Sequence, residues 1–200
     1  MKVAVGLVTC ERADLLRRTL ASLGDGCELI VIDNAPRGTW PSKGFARAAE
    51  KAYQTGADII MLSPDDMEYR QNWLEKLLSF WEAAPEKVAL LGHCLLPVFD
   101  WSKPYGGIEA GGVKALLRPV TIAAWSFRRA DYELARIIPA KNLWEKTVCW
   151  RVAAAGRMIA EADLAVHIGH NNSTLRHEAE WAAGEPVEPY VDRWMGGWAA

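Results

Sequence analysis

No two of the four cysteines form a CxxC pair: Cys10, Cys27, Cys94 and Cys149 stand far apart, which excludes a zinc knuckle and a dithiol redox motif. They read as small buried thiols of a reducing compartment. No apolar run approaches the roughly 20 residues that a spanning helix needs, and Val3 to Val8 is too short for the core of a secretory leader. A cytoplasmic protein without a membrane span is therefore expected. Charge of one sign is missing as well: 23 Lys and Arg stand against 25 Asp and Glu, so a net charge of -2 supplies no overall attraction to a polyanion or an anionic membrane. Internal repeats and low-complexity tracts are also absent.

What is present is a chain of 200 residues, half of them hydrophobic, enough for one domain with a sizeable core. The ten tryptophans either fill that core or offer stacking faces to a sugar ring or a base. The first 83 residues alternate regularly. Val3 to Val8 (VAVGLV), Glu28 to Ile32 (ELIVI) and Asp58 to Leu62 (DIIML) are short, β-branched, apolar runs that read as strands. Between and after them, Leu15, Leu16, Thr19, Leu20 and Leu23, then Gly44 to Gln54, then Trp73 to Ala83, carry helical spacing. Strands alternating with helices predict a mostly parallel central sheet, Rossmann-like, with helices on both faces. Further on, 88–96, 120–127 and 162–168 read as strands, with helices beginning near Asp131 and spanning Trp144 to Ala155. The stretch 97–119 reads as a loop whose glycines, clustered in 105–112, could let it fold over a ligand.

In such sheets ligands sit outside the carboxyl ends of the strands. Those ends carry Thr9 to Arg12, Asp33-Asn34 and Asp65-Asp66. Two adjacent carboxylates in a crevice offer hard oxygen ligands to a divalent cation, one coordinating the ion while the other holds a water or a ligand. The same pair would also serve as a polar turn or as the N-cap of a helix over 67–80.

With these residues in order, the chain resembles a family 2 glycosyltransferase of the GT-A fold, rhamnosyltransferase-like members in particular. The turn Thr9-Cys10-Glu11-Arg12 is similar to the family's Thr-x-Asn-Arg, with Glu11 in place of asparagine. Val31-Ile32-Asp33-Asn34 resembles its VVDN segment, and Ser42-Lys43-Gly44-Phe45-Ala46 its Asn-x-Gly-Phe-Ala. Leu62-Ser63-Pro64-Asp65-Asp66 followed by Trp73-Leu74 resembles the metal-motif strand, with Pro64 replacing its first acidic or amide position. The resemblance implies donor contacts from Thr9, Glu11, Arg12, Asp33, Asn34, Lys43 and Asp65, and a Mn2+ or Mg2+ ion held by Asp66. In the second half, Trp125 to Tyr132 (WSFRRADY) resembles the strand and turn that introduce the acceptor region, which implies roles there for Trp125, Arg128 and Trp144. Trp144-Glu145, followed by Arg151 and Gly156, matches the Glu-Asp signature and puts Glu145 in the position of the catalytic carboxylate. His167 matches a histidine that the family places after its last strand, with a metal or diphosphate contact implied; His170 is the second choice.

The implied function is inverting transfer of a sugar from a nucleotide diphosphate donor, a UDP-sugar, to an acceptor hydroxyl, with a divalent metal and with Glu145 as general base. The acceptor stays open among a saccharide, a small molecule and a hydroxylated base of viral DNA. A degenerate sugar-nucleotide-binding module is the non-enzymatic alternative. A nucleotidyltransferase is the other, although the glycine-poor segment Thr9 to Asp14 is not the basic, glycine-rich loop that grips a triphosphate. One GT-A domain is expected over 1–177, with a nucleotide-sugar half (1–96) and an acceptor half (97–177), followed by a tail (178–200).

Overall fold

The computed structural model describes residues 1–10, 12–34, 41–95, 103–121, 124–139 and 144–168. Met1–His167 form one compact unit. The tail 178–200, the boundary at 177, Glu11 and His170 lie outside the described residues.

The expected alternation forms as β1 (Val3–Thr9), α1 (Ala13–Leu23), β2 (Glu28–Asp33), α2 (Pro41–Gln54), β3 (Ile59–Pro64), β4 (Met67–Tyr69) and α3 (Trp73–Ala83). It continues with β5 (Val88–Gly92), β6 (Gly106–Ala110), β7 (Val113–Arg118), β8 (Trp125–Arg128), a 3-10 turn (Arg129–Asp131) and α4 (Tyr132–Ala135). The last elements are α5 (Trp144–Ala154), β9 (Met158–Glu161) and β10 (Ala165–His167). Eight strands join one sheet in the order β2-β1-β3-β8-β5-β9-β7-β6. The pairings make β1, β2, β3, β5, β6 and β9 run one way and only β7 and β8 the other, so the sheet is mostly parallel in direction. The second-half strand β8 lies between β3 and β5, so both halves of the chain share one sheet.

The period of two along β1 explains the layering. Val3, Val5 and Leu7 enter a core with Leu23 of α1 and Trp73, Leu77, Phe80 and Trp81 of α3. Ala4 and Val8 enter the opposite core with Phe45, Ala48, Ala49 and Ala52 of α2 and Trp144, Val148 and Val152 of α5. Gly6 faces that second core without a side chain because a Cβ there would lie 2.8 Å from Ala48 Cβ and 3.1 Å from its backbone carbonyl.

Four expectations are corrected. The segment read as a ligand-covering loop contains the β6–β7 hairpin, which turns on Gly111 and Gly112 at φ 56 and 75 and packs against α3. Two consecutive left-handed residues are what a tight hairpin requires. Asp65-Asp66 do not cap a helix: they form a turn into β4, and α3 starts only at Trp73. The terminal segment 162–168 is not one strand, because β9 ends in the main sheet at Glu161 and β10 pairs antiparallel with β4 in a separate two-stranded sheet. The 120–127 strand begins only at Trp125.

Gly6→Ala should destabilise the fold by about 1–3 kcal/mol, since α2 must shift to admit the methyl group. Urea unfolding checks this; an unchanged midpoint would mean that α2 is not seated as closely on β1 as described.

Candidate active site

The parallel neighbours β1 and β3 end side by side, and their ends build a polar cluster around one buried carboxylate. Asp65 is completely buried. Its Oδ2 accepts from Thr9 Oγ1 at 2.7 Å and from the Cys10 backbone N–H at 3.4 Å, and its Oδ1 accepts from the Arg12 guanidinium. Its carbonyl accepts from Thr19 Oγ1 of α1 at 2.8 Å. A buried charge left unpaired is strongly destabilising, so this set of donors is a condition for the turn at Asp65 to exist.

The same guanidinium also donates to Asp66 Oδ2 at 2.7 Å. Asp66 Oδ1 is buried, and its partner among the described residues is His167 Nε2, 3.4 Å away. The short β4–β10 ladder explains this approach, because its register sets His167 opposite Met67, next in chain to Asp66. Burial alone would raise the Asp66 carboxyl, but His167 and Arg12 more than offset it and hold the group below the usual range.

Whether these residues suit a divalent cation follows from the donor set. Among the described residues no three His, Cys, Asp or Glu side chains converge as a metal cage. One carboxylate oxygen and one imidazole nitrogen do converge, and magnesium-like ions characteristically take one or two protein ligands and complete their shell with phosphate oxygens and water. The buried Asp66 Oδ1 fits that role. Asp65 does not, because all of its carboxylate oxygens are already engaged by the protein.

The donor-side residues lie at the adjoining strand end. Asp33 ends β2 opposite Thr9 and is exposed, and the Asn34 N–H donates to the Thr9 carbonyl at 2.8 Å. Gly44 lets α2 start this close, since a Cβ there would meet Val8 Cγ1 at 2.8 Å and the Asn34 side chain at 3.0 Å. Lys43, in the first turn of α2, lines a groove beside that helix with Arg47, Glu50 and Arg136.

On the second half, the antiparallel pairing sets Trp125 opposite Leu62 and Gly92, at the same edge of the sheet as Asp65. Trp144 packs its ring 4.9 Å from Phe45 and 5.3 Å from Trp125, which anchors the start of α5. Glu145 follows in the first turn of α5. Its side chain keeps some solvent access, yet burial pushes its carboxyl up to about 7, with its own backbone N–H and Lys146 pulling the other way. Arg128 is placed elsewhere. Because β8 runs antiparallel, Arg128 pairs with Ile59 at the far end of β3, about 10 Å from Trp125 at a strand rise of about 3.3 Å per residue. There it donates to the carbonyls of Ala84 (2.6 Å), Val88 (3.1 Å) and Trp81 (3.3 Å), closing the end of α3.

Two supports escaped the sequence reading. His93, after β5, is fully buried, and burial lowers its pKa to about 3, so it is neutral. Its Nε2 is hydrogen-bonded to Ser126 Oγ at 2.9 Å, and the same hydroxyl oxygen accepts from Trp81 Nε1 at 2.9 Å. The His93 carbonyl accepts from the N–H groups of Leu164 (3.0 Å) and Ala165 (2.8 Å), which fixes the turn into β10 and so the placement of His167. The second support is the buried pair Arg118–Glu161 (2.6 Å) at the carboxyl end of β9. Nothing local in the sequence marks either of them.

No family model matches the chain, and no curated protein matches it in sequence. Solved structures do. Drosophila β1,4-galactosyltransferase 7, a mutant in complex with manganese, UDP-Gal and xylobiose, aligns at TM-score 0.55 and 12% identity over 84% of this chain and 71% of that one. S. aureus TarS aligns at TM-score 0.57 and 13% identity over 85% of this chain and 61% of that one. Its complex with UDP-GlcNAc gives 0.56 and 12% over 80% and 56%. At these identities the likeness establishes the fold, which is GT-A.

The position of Glu145 has a consequence for stability. The folded chain holds the Glu145 proton up to about 7, whereas the ordinary value is 4.5, so ionisation removes stability as pH rises through that window. Glu145→Gln should therefore gain in melting temperature relative to the unaltered protein as pH rises from about 4.5 to about 7, and show a constant difference above it. Thermal melts across that range check this; a difference that stays constant throughout would mean that the carboxyl is not desolvated.

Proposed function

We propose that this protein is an inverting glycosyltransferase of the family 2 type, rhamnosyltransferase-like in its motifs, which moves a sugar from a nucleoside diphosphate donor to an acceptor hydroxyl. The observation that carries the reading is the buried Asp66 Oδ1 facing His167 Nε2 at 3.4 Å, at the carboxyl end of a GT-A sheet. Asp66 and His167 would hold Mn2+ or Mg2+, and a divalent ion bound there would neutralise charge building on the leaving diphosphate. The manganese and UDP-sugar named in the neighbouring structures support the choice of a UDP-sugar as donor.

The places of the residues support the following roles in this reading. Exposed Asp33, beside Thr9, accepts a hydrogen bond from the nucleotide base. Arg12 supplies a planar cation suited to phosphate oxygens. Trp125 and Trp144 are buried in the core and contribute on the acceptor side by seating the start of α5 rather than by touching an acceptor. The xylobiose in one neighbour supports a saccharide as acceptor. Glu145, whose carboxyl is pushed up to about 7, takes the proton of the acceptor hydroxyl. That oxygen then bonds to the anomeric carbon as the carbon–oxygen bond to the diphosphate breaks on the opposite face, and a single displacement of this kind inverts configuration. The four free thiols support placing the reaction in the cytoplasm, and no helix among the described residues is long and apolar enough to cross a membrane.

Glu145→Gln should keep donor affinity while transfer falls roughly 100-fold to 10,000-fold. Single-turnover assays with analysis of the product anomer check both points; a retained configuration would reject the displacement, and near-normal turnover would move the base elsewhere. Asp66→Ala should abolish metal-dependent transfer and also the slow donor hydrolysis that a transferase shows and a binding module does not. Full activity of that variant, or activity unchanged after exhaustive chelation, would remove metal assistance from the mechanism.

A further inference from the structure

Arg12 has more to do at this site than contact a phosphate. Its side chain, 27% exposed, bridges two carboxylates that are themselves 0% and 5% exposed. Asp65 retains no carboxylate oxygen for a ligand, since Thr9, Cys10 and Arg12 use both. Asp66 retains one, because Arg12 holds its Oδ2 and only Oδ1 points to the His167 contact. With Arg12 in this position a cation would meet one carboxylate oxygen instead of two, beside a fixed positive charge. A guanidinium fork matches phosphate oxygens as well as carboxylate oxygens, and Arg12 is the only one of the three side chains with appreciable access to solvent.

We infer that Arg12 guards the cation site: bridging Asp65 and Asp66, it makes a divalent ion alone bind weakly, and by turning to the donor's diphosphate it makes ion and donor bind jointly. This rests on the reading that Asp66 holds the ion. The guard is a coupling between two ligands through one side chain, so it is reciprocal: the nucleotide tightens the ion as much as the ion tightens the nucleotide. It also keeps two adjacent carboxylates from facing each other uncompensated when the site is empty of ligands, which explains how Asp65 tolerates full burial.

The test is a Mn2+ titration, read from loss of the free-ion electron paramagnetic resonance signal, with and without saturating UDP and corrected for Mn2+ bound by UDP alone. It is applied to the full chain and to Arg12→Gln, Arg12→Lys and Asp66→Asn. The unaltered protein should bind Mn2+ weakly alone and about tenfold or more tightly with UDP. Arg12→Gln, which removes a positive charge and frees Asp66 Oδ2, should bind Mn2+ alone about tenfold or more tightly than the unaltered protein and lose most of the UDP effect. Arg12→Lys, whose single ammonium cannot span both carboxylates, should lie between them, and it decides the question should Arg12→Gln fail to fold. A residue with only a structural role would, on removal, weaken ion and nucleotide together. Thus Mn2+ affinity that is unchanged or reduced in the Arg12 variants overturns the guard. If Asp66→Asn abolishes UDP-dependent Mn2+ binding while the Arg12 variants change nothing, the guard alone fails. If Asp66→Asn binds Mn2+ normally, the cation reading beneath it fails as well.

Discussion

Everything at the site hangs on one buried charge. Asp65 sits at 0% exposure at the end of a parallel strand, and a carboxylate there is tolerable only if donors reach it from the neighbouring strand end. Those donors are Thr9 Oγ1, the Cys10 N–H and Arg12, so the carboxylate dictates the course of the chain from β1 into α1. Arg12, once drawn in, reaches Asp66 as well, and this leaves Asp66 with one oxygen directed to His167. Removing Asp65 would therefore release a turn, a guanidinium and a second carboxylate together, although Asp65 itself is in no position to contact a ligand.

The fold supplies the remaining constraint from the opposite end of the chain. His167 is a hundred residues from Asp66, and only the antiparallel ladder between β4 and β10 brings them together. That ladder is three residues long and would be a weak element alone. It is held because His93 fixes the turn at Leu164–Ala165 and because Ser126 and Trp81 fix His93 inside the core. Core packing and site geometry are thus connected through a neutral, buried histidine.

What was legible in the sequence is what local periodicity encodes. The first three strands and helices, the polar residues at the strand ends and the α5 helix with Glu145 in its first turn follow from apolar spacing and flanking glycines. The β6–β7 hairpin was equally encoded, as Gly111-Gly112 between alternating segments, but four glycines in seven residues read as a loop. Strand direction was not legible. The motif around Trp125 and Arg128 gives no sign that β8 runs antiparallel, and that direction alone separates a tryptophan at the crevice edge from an arginine that closes α3 at the other end. Nor could spacing reveal that Asp65 and Asp66, identical and adjacent, have different environments: one satisfied entirely by protein, the other with an oxygen left over.

The central claim is that the carboxyl end of β1 and β3 receives a nucleoside diphosphate together with a divalent ion at Asp66 and His167. A crystal structure of the protein with UDP and Mn2+, with anomalous scattering recorded for manganese, tests this most directly. The account predicts a manganese peak bonded to Asp66 Oδ1 and His167 Nε2, with the nucleotide lying across the ends of β1 and β2 beside Asp33. A bound UDP away from that edge, or a manganese peak on UDP that touches neither Asp66 nor His167, would contradict it.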